Sequence, residues 1–121
     1  MKPAQNNVIY HNPRCSKSRQ TLSLLQEKGV DLQIIEYLKT PPSAAELAVF
    51  CDQLGVHPLA LCRTKEPVFK ELGLSRNDDR AASDWLQLMV EHPILIERPI
   101  VVYKHRVALG RPPENILSLL D

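Results

Sequence analysis

Residues 8–38 read VIYHNPRCSKSRQTLSLLQEKGVDLQIIEYL, and this stretch decides the fold. Its opening residues, 8–11, are a short apolar run that stops at Asn12 and Pro13, a turn pair, and so read as a buried strand. From Ser16 to Lys28 the chain carries no Pro or Gly. Leu22 and Leu25 fall on one helical face, and Gly29 supplies a stop. Residues 32–38 are rich in aliphatic side chains and read as a second strand. Strand, helix and strand in that compass make a βαβ unit, so the two strands are expected to run parallel with a right-handed crossover.

Beyond Pro41 and Pro42 the pattern turns helical. Ser43 followed by Glu46 is a capping box. Leu47, Phe50, Cys51 and Leu54 then recur at i, i+3, i+4 and i+7, one buried helix face that Gly55 ends. Residues 58–74 hold one or two short helical turns. Another helix is expected with Ser83 or Asp84 as its cap, Trp85, Leu88 and Met89 inward, and Pro93 closing it. Residues 100–103 and 106–110 read as a hairpin joined at Lys104 and His105, a weaker turn signal than Asn-Gly. Pro112 and Pro113 then start a terminal helix carrying Ile116, Leu117 and Leu120. The order βαβ, helical block, ββα is the plan of an α/β thioredoxin-like fold. The expectation is one domain over residues 1–121, with a four-stranded mixed sheet and an inserted helical block.

Bulk properties narrow the function. A chain of 121 residues, 44% apolar and 24% charged, is an ordinary globular composition long enough for its own core. A net charge of +1 argues against a general nucleic-acid binder. No apolar stretch is long enough for a membrane span or a signal peptide's core, so the expected compartment is the cytoplasm, where thiols stay reduced. The three cysteines, Cys15, Cys51 and Cys62, fit neither a disulfide framework nor zinc spacing, and no metal or bound cofactor is expected.

Cys15 is the focus of the chemistry. It lies between a strand's end and a helix's start, where unpaired N–H groups and the helix dipole favour negative charge. Arg14, Lys17 and Arg19 add positive charge, and Ser18 can offer a hydroxyl to the sulfur. Such a setting yields a reactive thiolate, and the same N–H groups bind oxyanions. The plainer role, a small filler at a helix start, fits less well, because inert cysteines lack an electropositive setting. Cys51 sits in a periodic apolar face and reads as core; Cys62, beside Arg63, reads as packing ahead of chemistry. His11 is either a hydrogen-bonded loop residue or a group that tunes the thiolate. Arg63, Arg98 and Arg111 each interrupt apolar or Pro-rich stretches. Arginine suits planar, multidentate anion recognition, yet each taken singly also reads as a solvated surface residue.

At these residues the chain resembles the glutaredoxin-linked arsenate reductase family of thioredoxin-fold proteins. Residues 10–19, YHNPRCSKSR, are similar to that family's active-site motif, a single cysteine followed by Ser-Arg, and residues 92–102, HPILIERPIVV, to its second signature. With residues 38–42 and 110–112 the similarity spans nearly the whole chain. The resemblance implies Cys15 as nucleophile and Arg63, Arg98 and Arg111 as oxyanion-binding arginines. His11, Ser18 and Arg19 match residues that support the thiolate and the anion loop. Pro99 matches the cis-proline facing the active cysteine.

The implied reaction is reduction of arsenate to arsenite, with glutathione as co-substrate and glutaredoxin as protein partner. Two other readings stand beside it. One is a glutathione-dependent thiol–disulfide reductase; the other is a non-enzymatic interaction module resembling the Spx-type regulators. Those regulators usually carry a second cysteine three residues after the first, where this chain has Ser18. A low-molecular-weight phosphatase-type loop does not fit, since it needs an arginine six residues after the cysteine, and position 21 is Thr21.

Overall fold

The computed structural model describes residues 7–120. The chain divides into two compact units: residues up to 40 together with those from 98 onward, and residues 41–97.

The first unit holds β1 (Asn7–His11), α1 (Ser16–Glu27), β2 (Gln33–Glu36), β3 (Ile100–Tyr103) and β4 (Arg106–Leu109). The strands form one sheet in the order β2-β1-β3-β4. β1 is parallel to β2 and antiparallel to β3, and β3 is antiparallel to β4, the mixed sheet that the sequence pattern predicts. β1 and β3, in the middle, are the strands whose sequences read as continuous apolar runs, as buried strands do. Ile9 pairs with Val101 in register, and both join Leu25, Ala108, Ile116 and Leu119 in one buried cluster. Each fully buried Leu or Ile contributes about 1.5–3 kcal/mol. That cluster ties α1 to the sheet and so fixes where the start of α1 points.

Several boundaries differ from the sequence expectation. β2 ends at Glu36, because the Glu36 carbonyl turns to accept the amides of Lys39 and Thr40, both at 3.0 Å. The terminal helix is a 3-10 helix, Pro113–Leu120, rather than an α-helix. At three residues per turn Pro113, Ile116 and Leu119 line one face and are buried, while Leu117 and Leu120 pack only partly against the core. The hairpin loop does fall at Lys104 and His105, and both take left-handed backbone angles, φ 51° and 68°, as a two-residue primed turn requires. The peptide bonds before Pro99 and Pro112 are both cis; the first was expected and the second was not.

The second unit contains α2 (Ala44–Leu54), a 3-10 turn at Pro58–Leu61, α3 (Pro67–Glu71), α4 (Ala82–Glu91) and a 3-10 turn at Pro93–Leu95. The capping box forms as expected: Ser43 Oγ accepts from the Glu46 amide at 3.1 Å, and Glu46 Oε1 accepts from the Ser43 amide at 2.9 Å. Gly55 ends α2 in the left-handed region, φ 71°. Leu47, Phe50 and Cys51 are buried, and α2 packs on α4, where Trp85 stacks on Phe69 with centroids 6.1 Å apart. The cap of α4 is Ala81, with no side-chain bond; Ser83 and Asp84 lie in the first turn instead. There Asp84 complements the helix dipole without capping it.

Candidate active site

Cys15 is the N-cap of α1, with extended backbone angles (φ −98°, ψ 123°). Its amide donates to the Asn12 carbonyl at 3.0 Å, and its carbonyl accepts from the Arg19 amide at 3.0 Å. The loop before it is fixed by its own residues. Asn12 Oδ1 accepts from the Arg14 amide at 3.0 Å, and Arg19 Nη1 reaches back to the Pro13 carbonyl at 3.0 Å. Arg19 therefore acts on the loop's shape through a hydrogen bond, in addition to carrying charge.

Ser18 is fully buried one turn into α1. Its oxygen accepts from the Asn12 amide at 3.0 Å and lies 2.7 Å from His11 Nδ1. The expectation that this hydroxyl turns to the sulfur is corrected: it faces His11 and the loop backbone. One buried hydroxyl thus joins the end of β1, the loop and α1.

Burial pushes the His11 pKa below the usual 6.5; Glu36 pulls it back up, and Arg19 pushes it down. His11, Glu36 and Lys39 line one cleft of about 320 Å³, and Lys39 bridges Glu36 at 3.5 Å. A depressed histidine makes the folded state reluctant to bind a proton. Below pH 6.5 the unfolded chain takes up that proton first, so stability falls as pH drops from 6.5 toward the folded His11 value. Denaturant midpoints measured from pH 8 to 5 should show this loss, and His11→Gln should flatten the acid slope.

From the other side, Arg111 Nη1 lies 3.9 Å from Cys15 Sγ, a long N–H···S contact, and 3.4 Å from the Arg98 carbonyl. Arg98 itself is half-buried and leads into the cis bond to Pro99, which is buried. The structure therefore brings together Cys15, Arg111 and the Arg98 backbone. Arg63 belongs to the second unit. A short ladder holds it there: the Arg63 amide donates to Leu95 O at 2.7 Å, and the Glu97 amide donates to Leu61 O at 2.8 Å. The Arg63 guanidinium meets two carboxylates, Glu66 through Nε (3.0 Å) and Nη2 (2.9 Å), and Glu97 through Nη1 (3.1 Å). Among the described residues these carboxylates engage three of its five N–H donors.

Sequence reasoning missed Glu66 and Glu97 as partners of Arg63. The i, i+3 spacing of Arg63 and Glu66 was a usable signal; the reach across to Glu97 was not.

The three thiols are almost equally covered, with Cys15 at 8%, Cys51 at 4% and Cys62 at 8% exposure, so access alone does not rank them. Charge does. Burial pushes Cys51 up, and burial with Glu97 beside it pushes Cys62 up to about 11. Cys15 faces Arg111 and the α1 N-terminus. Iodoacetamide at pH 7.5 should therefore label Cys15 at least about tenfold faster than either other cysteine, because the thiolate is the nucleophile. Peptide mapping over time checks this, and first labelling at Cys51 or Cys62 would refute it.

Among the described residues no cluster of three or more His, Cys, Asp or Glu could hold a metal, and no helix is long and apolar enough to cross a membrane.

Comparison with known proteins gives this geometry a lineage. An arsenate reductase of Neisseria meningitidis is 44% identical over 93% of this chain and 96% of its own length. An arsenate reductase of Escherichia coli is 42% identical over 95% of this chain and 81% of its own. The solved structure of an arsenate reductase from Vibrio cholerae matches with a TM-score of 0.87 at 47% identity, covering 96% of this chain and 98% of that one. The ArsC family model spans residues 10–119, from the end of β1 to the terminal 3-10 helix, and the chain belongs to the ArsC family of thioredoxin-fold proteins.

Proposed function

We propose that this protein reduces arsenate to arsenite in the cytoplasm, as one domain, with glutathione and glutaredoxin supplying the electrons. The observation that carries the reading is the Arg111 guanidinium 3.9 Å from the Cys15 sulfur at the start of α1. A thiolate there has a cation and free helix amides beside it, the arrangement that stabilises both a nucleophile and an oxyanion. The kinship with named arsenate reductases at 42–47% identity supports the same substrate.

In the proposed reaction the Cys15 thiolate attacks arsenic(V), forming an S–As bond, and hydroxide leaves as water after protonation. Arg63, Arg98 and Arg111 bind the oxyanion. The glutathione thiolate then attacks the Cys15 sulfur. An S–S bond forms, the S–As bond breaks, and its electron pair stays on arsenic, which becomes arsenic(III) and departs as arsenite. Glutaredoxin's thiolate attacks the glutathione sulfur of the mixed disulfide and releases Cys15. Burial pushes the Cys51 and Cys62 thiols up, which makes them poor internal resolving groups and an external thiol the simpler account. His11, Ser18, Arg19 and Pro99 support the loop that presents Cys15.

The test is an arsenate-reduction assay with glutathione and glutaredoxin, each omitted in turn, run beside a glutathione mixed-disulfide substrate. Arsenite production that needs both thiols is the expected result. Turnover of the mixed disulfide without arsenite production would instead identify a thiol–disulfide reductase.

A further inference from the structure

Arg111 is exposed, yet its guanidinium is placed against a buried sulfur. What places it is visible one residue earlier. Gly110 is buried in a closely packed slot. Its amide donates to the Pro99 carbonyl at 3.0 Å. The single proton of the Thr21 hydroxyl is shared between two carbonyls, Lys17 at 2.8 Å and Gly110 at 3.3 Å, a three-centre bond weighted to Lys17. A Cβ at position 110 would lie 2.3 Å from Thr21 Oγ1, 2.9 Å from Thr21 Cγ2 and 2.8 Å from Pro99 Cγ, distances that real side chains do not adopt. Thr21 is fully buried and sits on α1, the helix that Cys15 caps.

We propose that Thr21 is a positioning residue for the anion site, acting through Gly110 to hold Arg111 at the Cys15 sulfur. Its hydroxyl is anchored on α1 by the shorter bond to Lys17 and reaches the Gly110 carbonyl by the longer one. Its hydroxyl oxygen and its methyl group, with Pro99 Cγ, crowd the place where a Cβ at 110 would stand. The backbone that carries Arg111 is thus clamped between α1 and the Arg98–Pro99 segment. Because Cys15 and Thr21 share one helix, the cation and the sulfur are registered to the same rigid element. Rigid mounting of this kind is what a preorganised anion site needs, since displacements near 1 Å weaken it.

The inference rests on Arg111 being the anion-facing cation of the proposed site, so its test avoids arsenate. The Cys15 alkylation rate is measured with anionic iodoacetate and with neutral iodoacetamide, and their ratio reports positive charge at the sulfur. Arg111→Gln calibrates the range; losing a unit charge about 4 Å away in a water-like medium should lower the ratio about fivefold. Thr21→Val, which keeps the shape and removes the donor, should lower it by about threefold, and Thr21→Ser should restore it, since the hydroxyl steers a single charge. A ratio in Thr21→Val equal to that of the unaltered protein, or a serine variant as low as the valine one, overturns the proposal. If the valine variant melts too early to measure, Thr21→Ala takes its place, because it removes the same hydroxyl without burying a new methyl group. An unchanged ratio there overturns the proposal equally. A protein that shows this ratio pattern but reduces no arsenate would refute the substrate and leave the positioning role standing.

Discussion

Cys15→Ser is expected to lower arsenate reduction by on the order of 10³-fold or more, because removing a covalent nucleophile removes the pathway itself. Serine keeps the size and the N-cap geometry but holds its proton at neutral pH. An oxygen adduct with arsenic also gives glutathione no sulfur to attack, so no electron pair is delivered. The chain offers no substitute thiol in an equivalent setting. Cys51 lies in the core of the helical unit, and burial beside Glu97 pushes Cys62 up to about 11. Cys51→Ala and Cys62→Ala should therefore retain turnover within a few-fold. Each should lose about 1–2 kcal/mol of stability from the cavity, a common size for a buried small-residue truncation. Arsenite production and thermal melts on the three variants decide the matter. Appreciable turnover in Cys15→Ser, or its loss in Cys62→Ala with the fold intact, would overturn the assignment of the nucleophile.

The sheet and the position of Cys15 were legible because they rest on local signals. The apolar run of β1, the Asn12–Pro13 stop and the Gly29 stop each act within a few residues, and a parallel β1–β2 pair follows from the helix between them. The form of the terminal helix was not legible. Ile116 is inward in either helix type, and only three-residue packing against the sheet selects Leu119 over Leu117 and Leu120. Ser18 shows the same limit at the site. Its spacing from Cys15 suggests a hydroxyl for the sulfur, but a buried oxygen takes the partners that tertiary structure supplies, here His11 and the Asn12 amide. Glu97 meets Arg63 across 34 residues through a backbone ladder that no sequence period announces. Gly110 carried a readable hint, a glycine at a strand's end where another chain segment approaches closely. The segment that approaches is α1 at Thr21, 89 residues earlier, and no local pattern links the two.

Arg111→Ala is expected to lower kcat/KM for arsenate by about 10², the lower end of the cost of deleting one oxyanion-stabilising donor. The lower end is appropriate because Arg111 is exposed, and water screens part of its charge. Its Nη1 touches both Cys15 Sγ and the Arg98 carbonyl. A guanidinium holds its donors in one planar fork, the geometry that suits an oxyanion beside the attacking sulfur. Lysine keeps the charge but has no planar fork, so Arg111→Lys should recover only about a tenth to a third of the lost activity. The two variants should also differ in their response to salt. Raising ionic strength should depress arsenate turnover in the unaltered protein and in Arg111→Lys, and should do so less in Arg111→Ala, where the screened cation is gone. Neutral iodoacetamide should still label Cys15 in both at rates within a few-fold of the unaltered protein, since Cys15 keeps its place at the α1 N-terminus. Steady-state kinetics at two salt concentrations test this. An Arg111→Ala enzyme with unchanged kcat/KM would remove Arg111 from the anion site and leave the sulfur's reactivity to the helix terminus alone.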